Sequence, residues 1–126
     1  MILLAGSTGF LGNEILKELG GIESQTLALS RRVIPNLPDN AQELIIDFDN
    51  LSELEIPNVN HAYLSLGYPL YYHNVMGFMS DSLKKDLYLV EFTYQLEIAK
   101  KAKEAGAKGI SLISAVGANS NSKKVY

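Results

Sequence analysis

Apolar residues fall into short unbroken runs separated by stretches of helical periodicity. Ile2, Leu3, Leu4 and Ala5 form the first run, closed by Gly6-Ser7-Thr8-Gly9. An unbroken apolar run ended by a turn signal predicts a strand buried on both faces, as in a parallel sheet. Phe10, Leu11, Ile15, Leu16 and Leu19 then recur at helical spacing, and Gly20-Gly21 ends that helix. Further strands are predicted over residues 26–30, 43–48, 61–66 and 110–113. Residues 51–54 read as a brief helical turn that Pro57 stops. The longest helical pattern covers residues 86–105, with Leu89, Phe92, Leu96, Ile98, Ala99 and Ala102 at apolar positions and Gly106 as the residue after the helix.

This alternation of strands and helices predicts one α/β domain over residues 1–126, a doubly wound parallel sheet with helices on its faces. Right-handed crossovers and a switch point after the first strand give the order 3-2-1-4-5. The connection between strands three and four is short for a full crossover helix. Residues 68–82 are irregular, with Tyr68, Tyr71, Tyr72, His73, Met76, Phe78 and Met79 among them. Such a loop covers a ligand, meets a partner or packs over the sheet, and the last reading is preferred.

Composition narrows the function classes. A net charge of −3 and a pI near 5.3 supply no attraction for nucleic acid or an anionic membrane surface. The chain has no cysteine, which excludes disulfides and thiolate metal sites. No apolar run reaches membrane-spanning length, and the apolar N-terminus lacks the flanks of a signal peptide. The default compartment is cytoplasmic.

Gly6-Ser7-Thr8-Gly9-Phe10-Leu11-Gly12 has the form G-x-x-G-x-x-G between a predicted strand and an amphipathic helix. Gly6 permits a sharp turn off the strand, Gly9 a close approach of backbone to a pyrophosphate, and Gly12 tight helix–strand packing. The amides opening the helix then face phosphate, favoured by the helix dipole, and Ser7 and Thr8 add hydroxyl donors. In this context the turn predicts a dinucleotide site.

The second strand ends in Ser30-Arg31-Arg32. A site for NAD(H) carries an acidic residue about 20 positions past the glycines, to hold the ribose 2′-hydroxyl. Here a guanidinium fork stands in its place, which favours NADP(H) while leaving NAD(H) admissible. Arg31 is the preferred phosphate ligand, with Ser30 as a further donor. Arg32 stacks on adenine or points to solvent. Asp47 either accepts from the adenine amino group or is a surface acid. Leu66 and Gly67 pass close to the ribose and pyrophosphate. His61 and His73 have no second ligand at metal-like spacing, and no metal site is expected.

Ser114 follows the fifth strand, and Tyr126 is the last residue. A serine and a tyrosine can meet at a substrate carbonyl, the hydroxyl polarising the oxygen and the phenol donating a proton as hydride arrives. A phenol of pKa near 10 needs a nearby cation for this work.

With these segments in view, the chain resembles the atypical short-chain dehydrogenases, in particular the Tat-interacting-protein-like oxidoreductases. The likeness covers essentially the whole chain. It rests on Gly6 to Gly12, Ser30-Arg31-Arg32, Asp47-Phe48, Leu64-Ser65-Leu66-Gly67, residues 103–108 and Ser114-Ala115-Val116-Gly117-Ala118. The resemblance implies a Rossmann-type fold, NADPH at Ser7, Gly9, Phe10, Leu11, Arg31, Leu66 and Gly67, and Tyr126 as the catalytic tyrosine. The family has serine where Ala115 stands, and its lysine four residues after the tyrosine falls beyond Tyr126. The chain therefore reads as the first part of a longer oxidoreductase, truncated after strand five and inactive alone, acting on an unknown carbonyl or alcohol. A regulatory NADPH-binding module that meets a protein partner is the alternative. A nucleotide-sugar epimerase or dehydratase ranks third. Strand five would then be an open edge that invites self-association.

Overall fold

The structure is a computed structural model, and it describes residues 1–69, 79–114 and 118–121. Five parallel strands form one sheet: β1 (Ile2–Ala5), β2 (Thr26–Ser30), β3 (Ala41–Ile45), β4 (His61–Leu64) and β5 (Gly109–Leu112). Their spatial order is β3-β2-β1-β4-β5, the predicted doubly wound arrangement. Ile2 pairs with Thr26 on one side and His61 on the other, so the first strand lies at the centre.

The unbroken apolar runs do what a parallel sheet asks of them. Leu3, Leu4 and Ala5 are fully buried, and all five residues of β2 are buried. Leu3, Ala5, Leu27, Leu29, Ala62 and Leu64 face one core, shared with Ile98 and Ala102. Leu4 and Ala28 face a second core with Leu16 and Leu19. Helix α1 (Phe10–Gly20) supplies that second layer. Where α1 ends, the Asn40 side-chain amide donates to the carbonyls of Leu19, Ile22 and Ser24, tying the turn to the start of β3.

Three boundaries differ from the sequence prediction. β3 runs over Ala41–Ile45 and not 43–48, because Phe48 leaves the sheet to open a kinked 3-10 helix (Phe48–Glu53) and is buried there beneath the first core. β4 and β5 stop at Leu64 and Leu112, so Leu66, Gly67 and Ser114 lie beyond the strand ends. The long helix begins five residues earlier than predicted. It is a continuous rod of α2 (Asp81–Tyr88), a π turn (Leu89–Tyr94) and α3 (Gln95–Glu104). Ser80 caps it, accepting from the Leu83 amide at 3.2 Å. At the wide π turn, the Gln95 side-chain amide donates to the Glu91 carbonyl at 3.0 Å. Gly106 follows the rod with φ of +94°, the predicted left-handed stop.

Ile98 anchors the rod, fully buried against the sheet. Replacing Ile98 with Ala should lower unfolding free energy in urea by about 3 kcal/mol, as buried Ile→Ala changes do. Replacing the exposed Lys103 with Ala should change it by less than about 0.5 kcal/mol.

Candidate functional site

The glycine turn is built on contacts that admit no side chain. Gly6 has φ of +92°, and a Cβ there would lie 2.5 Å from the Ser65 carbonyl oxygen. A Cβ on Gly12 would lie 2.0 Å from the Gly6 carbonyl oxygen and 2.7 Å from Ser65 Oγ. Ser65 Oγ donates to the Ala5 carbonyl at 2.8 Å. The first turn of α1 is thereby pressed against the ends of β1 and the chain leaving β4. At Gly9 a Cβ would stand 3.3 Å from the Gly6 oxygen, tight but not closed.

The start of α1 is electrostatically open. No side chain caps it and no acidic residue lies in its first turn. Its leading amides and the positive end of its dipole therefore face outward without a counter-charge. Ser7 is buried, and its hydroxyl finds no hydrogen-bond partner among the described residues. Phe10 is 91% exposed and Leu11 is also exposed, an apolar lip beside these polar groups.

A cleft of about 670 Å³ separates this turn from the loop after β2. Ser7, Thr8, Gly9, Phe10, Asn13 and Lys17 line one wall, and Arg32, Ile34, Asn36 and Pro38 line the other. The second wall is held by its own bonds. The Ser30 hydroxyl donates to the Arg32 carbonyl and accepts from the Arg32 amide at 3.1 Å. The Ile34 amide donates to Glu43 Oε2 at 2.7 Å.

The two arginines part company here. Arg32 lines the cleft, whereas Arg31 does not. The charge of Arg31 is felt instead at the Tyr94 hydroxyl. Asp47 stands two residues past β3 and caps the 3-10 helix, accepting from the Asp49 amide at 3.0 Å. Tyr94 in turn donates its hydroxyl proton to Asp49 Oδ1 and packs on Phe48 with ring centroids 5.7 Å apart. Burial, and then the Asp49 carboxylate that takes this bond, push the Tyr94 phenol up from 10.0 to about 12. Asp47 adds to the rise and Arg31 opposes it.

Past β4, the Tyr68 amide donates to Glu91 Oε1 at 3.3 Å, tying the chain to the π turn. A Cβ on Gly67 would meet nothing within 4 Å, so space is open there. Ser114 is exposed. Tyr126, Lys123, Lys124 and the loop residues Tyr71, Tyr72, His73, Met76 and Phe78 lie outside the described residues. Among the described residues no cluster of His, Asp and Glu could hold a metal, and no helix is long and apolar enough to cross a membrane.

Comparison with known proteins places this geometry in context. No family model matches the chain. A curated relative, the mitochondrial protein FMP52 of Candida glabrata, is 29% identical over 127 residues, covering 98% of this chain and 51% of the relative. The chain thus spans about half the length of that relative. Among solved structures, serine dehydrogenase from Escherichia coli superposes with a TM-score of 0.71 at 17% identity, over 90% of this chain and 61% of that one. The human epimerase family protein SDR39U1 with NADPH gives 0.67 at 20%, over 91% and 36%. MoeE5 in complex with UDP-glucose and NAD gives 0.69 at 18%, over 91% and 36%. The fold is therefore the Rossmann-type sheet shared by short-chain dehydrogenases and epimerases.

Sequence reasoning singled out Gly6 to Gly12 and the pair Arg31 and Arg32, with Arg31 preferred; the structure brings Gly9, Phe10 and Arg32 to the walls of one cleft. Sequence reasoning did not single out Ser65, Asn13, Lys17 or Asn36. Ser65 left only a faint signal, a small polar residue between two leucines.

Tyr94 yields a pH test. The unfolded phenol titrates near 10 and the folded one near 12, so the folded state holds this proton more tightly. The stability it supplies is complete below pH 10 and is lost as pH rises towards 12. Urea unfolding at pH 9 and pH 11.5 should show the gap between the parent and Tyr94→Phe narrowing at the higher pH. A gap independent of pH would remove Tyr94 as the proton holder.

Proposed function

We propose that this chain forms the NADP(H)-binding part of a short-chain-type oxidoreductase of the Tat-interacting-protein-like kind. The observation that carries the reading is the uncapped start of α1, laid by glycine-only contacts on the central strand with the buried, unpartnered Ser7 hydroxyl beside it. An orphaned hydroxyl, free helix amides and a cleft wall bearing a guanidinium together fit a phosphorylated dinucleotide.

The nicotinamide cofactor supplies the hydride when bound. The residues of the chain do the holding. The amides of Phe10, Leu11 and Gly12 face the pyrophosphate, and Ser7 donates its hydroxyl to it. Gly9 keeps the backbone accessible. Arg32 meets a 2′-phosphate across the cleft from Thr8, its planar fork matching two phosphate oxygens. The Ser30 hydroxyl, being engaged by Arg32 backbone, positions the arginine rather than the ligand. Arg31 and Asp47 flank the adenine end, and Leu66 and Gly67 bound the opposite end, where open space is left.

Ser114 polarises a substrate carbonyl and Tyr126 delivers the proton in the whole protein. These roles rest on the resemblance of the sequence, and the substrate is an unspecified carbonyl or alcohol. The compartment proposed from the sequence is cytoplasmic, although the curated relative is named as mitochondrial.

Calorimetric titration of the chain with NADPH and with NADH tests the reading. NADPH should bind more tightly, and Arg32→Ala should weaken it roughly 10- to 100-fold, the worth of charge-assisted hydrogen bonds at about 1.5–3 kcal/mol. NADH binding should be unaffected by the same change. Equal affinity for both nucleotides in the parent would overturn the phosphate assignment, and binding of neither would overturn the dinucleotide reading.

A further inference from the structure

We infer that Lys17 is a second reader of the 2′-phosphate, held in waiting by Glu14. The inference rests on the NADP(H) assignment and adds to it a residue that tells the phosphorylated dinucleotide from the plain one.

The cleft beside the glycine turn carries charge of one sign. Lys17 lines it on the α1 wall and Arg32 on the facing wall, and no acidic side chain is among its lining residues. Leu16 and Ile34 also line it and are buried, so an anion held there is partly turned away from water. Two carboxylates stand just outside. Glu43 accepts the Ile34 amide, and Glu14 Oε1 accepts from Lys17 Nζ at 2.6 Å.

That second contact shows which way Lys17 points. Glu14 lies three residues nearer the start of α1, so the lysine stem runs back along the helix towards its N-terminus. The ammonium therefore stands about one helical turn below the free amides of Phe10 and Leu11. The pair is exposed on both sides, and ion pairs of this kind hold weakly. A phosphate monoester carries a charge of about −1.5 to −2 at neutral pH and attracts the ammonium more strongly than one carboxylate does.

The two cations have different parts. The Ser30 hydroxyl bonds both backbone groups of Arg32, so the guanidinium fork springs from a fixed point on its wall. Lys17 is a point charge on a flexible stem and approaches from the other wall. A 2′-phosphate between them draws Lys17 off Glu14. A plain 2′-hydroxyl gives the ammonium no anion to meet, and the Glu14 pair stays closed. Lys17 thus adds to the affinity for one dinucleotide and not the other.

Calorimetric titration of the chain, read as the ratio of NADPH to NADH affinity, tests the inference. Lys17→Gln should lower that ratio roughly three- to tenfold, and Lys17→Arg should hold it within about twofold. Glu14→Gln releases the ammonium and should raise the ratio about two- to threefold. Lys100→Gln is the control. It breaks a pair of the same kind on α3, with Glu97 at 2.7 Å, and removes the same charge, yet should leave the ratio where it was. If Lys17→Gln does not fold by far-ultraviolet dichroism, Glu14→Gln decides, and a ratio that does not rise overturns the inference. A ratio untouched by Lys17→Gln, in a parent that prefers NADPH and loses the preference with Arg32→Ala, removes Lys17 and leaves the NADP(H) assignment standing. An equal fall with Lys100→Gln reduces the effect to net charge and overturns the contact. A parent with equal affinity for both nucleotides overturns the inference and the assignment together.

Discussion

The approach of Gly12 to Gly6 over Ser65 is the constraint on which the rest of the site depends. No atom can be added at either glycine without striking backbone. This contact fixes where α1 starts, and therefore where its free amides point. It also joins the central strand to the segment leaving β4, so the two rims of the switch point are packed directly against each other. A dinucleotide site in this architecture is less a set of side chains than a helix end held at a fixed height above a sheet. Ser7 and Arg32 refine that site.

Much of the fold was legible because parallel strands are buried on both faces. Thr26 to Ser30 show no alternation, and all five are buried. The errors arose where one apolar cluster served two layers. Ile46 and Phe48 look like a continuation of β3, and the Ile46 amide does still donate to the Ser30 carbonyl of β2 at 2.8 Å, but Phe48 leaves to open the 3-10 helix, and both side chains pack with the first core. The early start of the rod was hidden for a different reason. Its first turn, Asp81 to Lys85, is largely exposed and polar, so periodicity is silent there, and only the Ser80 cap marks it.

The site was legible in outline and not in hand. Sequence position brought an arginine to the end of β2, yet which of two neighbours enters the cleft depends on how the chain turns after the strand. The Ser30 hydroxyl sets that turn by bonding both backbone groups of Arg32. A local hydrogen bond thus decided what spacing alone could not. Ser65 was overlooked because its part is to be small and to bond Ala5, and neither property leaves a chemical signature in a list of residues.

The central place of β1 has a consequence for how the molecule is made. Leu3 and Leu4 precede the other strands along the chain, but Ile2 to Ala5 need Thr26 to Leu29 on one side and His61 to Leu64 on the other. During synthesis the most apolar strand therefore waits, half-paired with β2, until the fourth strand emerges. Parallel sheets of such long-range pairing close slowly. In that interval an unpaired apolar strand is the segment most exposed to a wrong partner, and to the chaperones that guard against one.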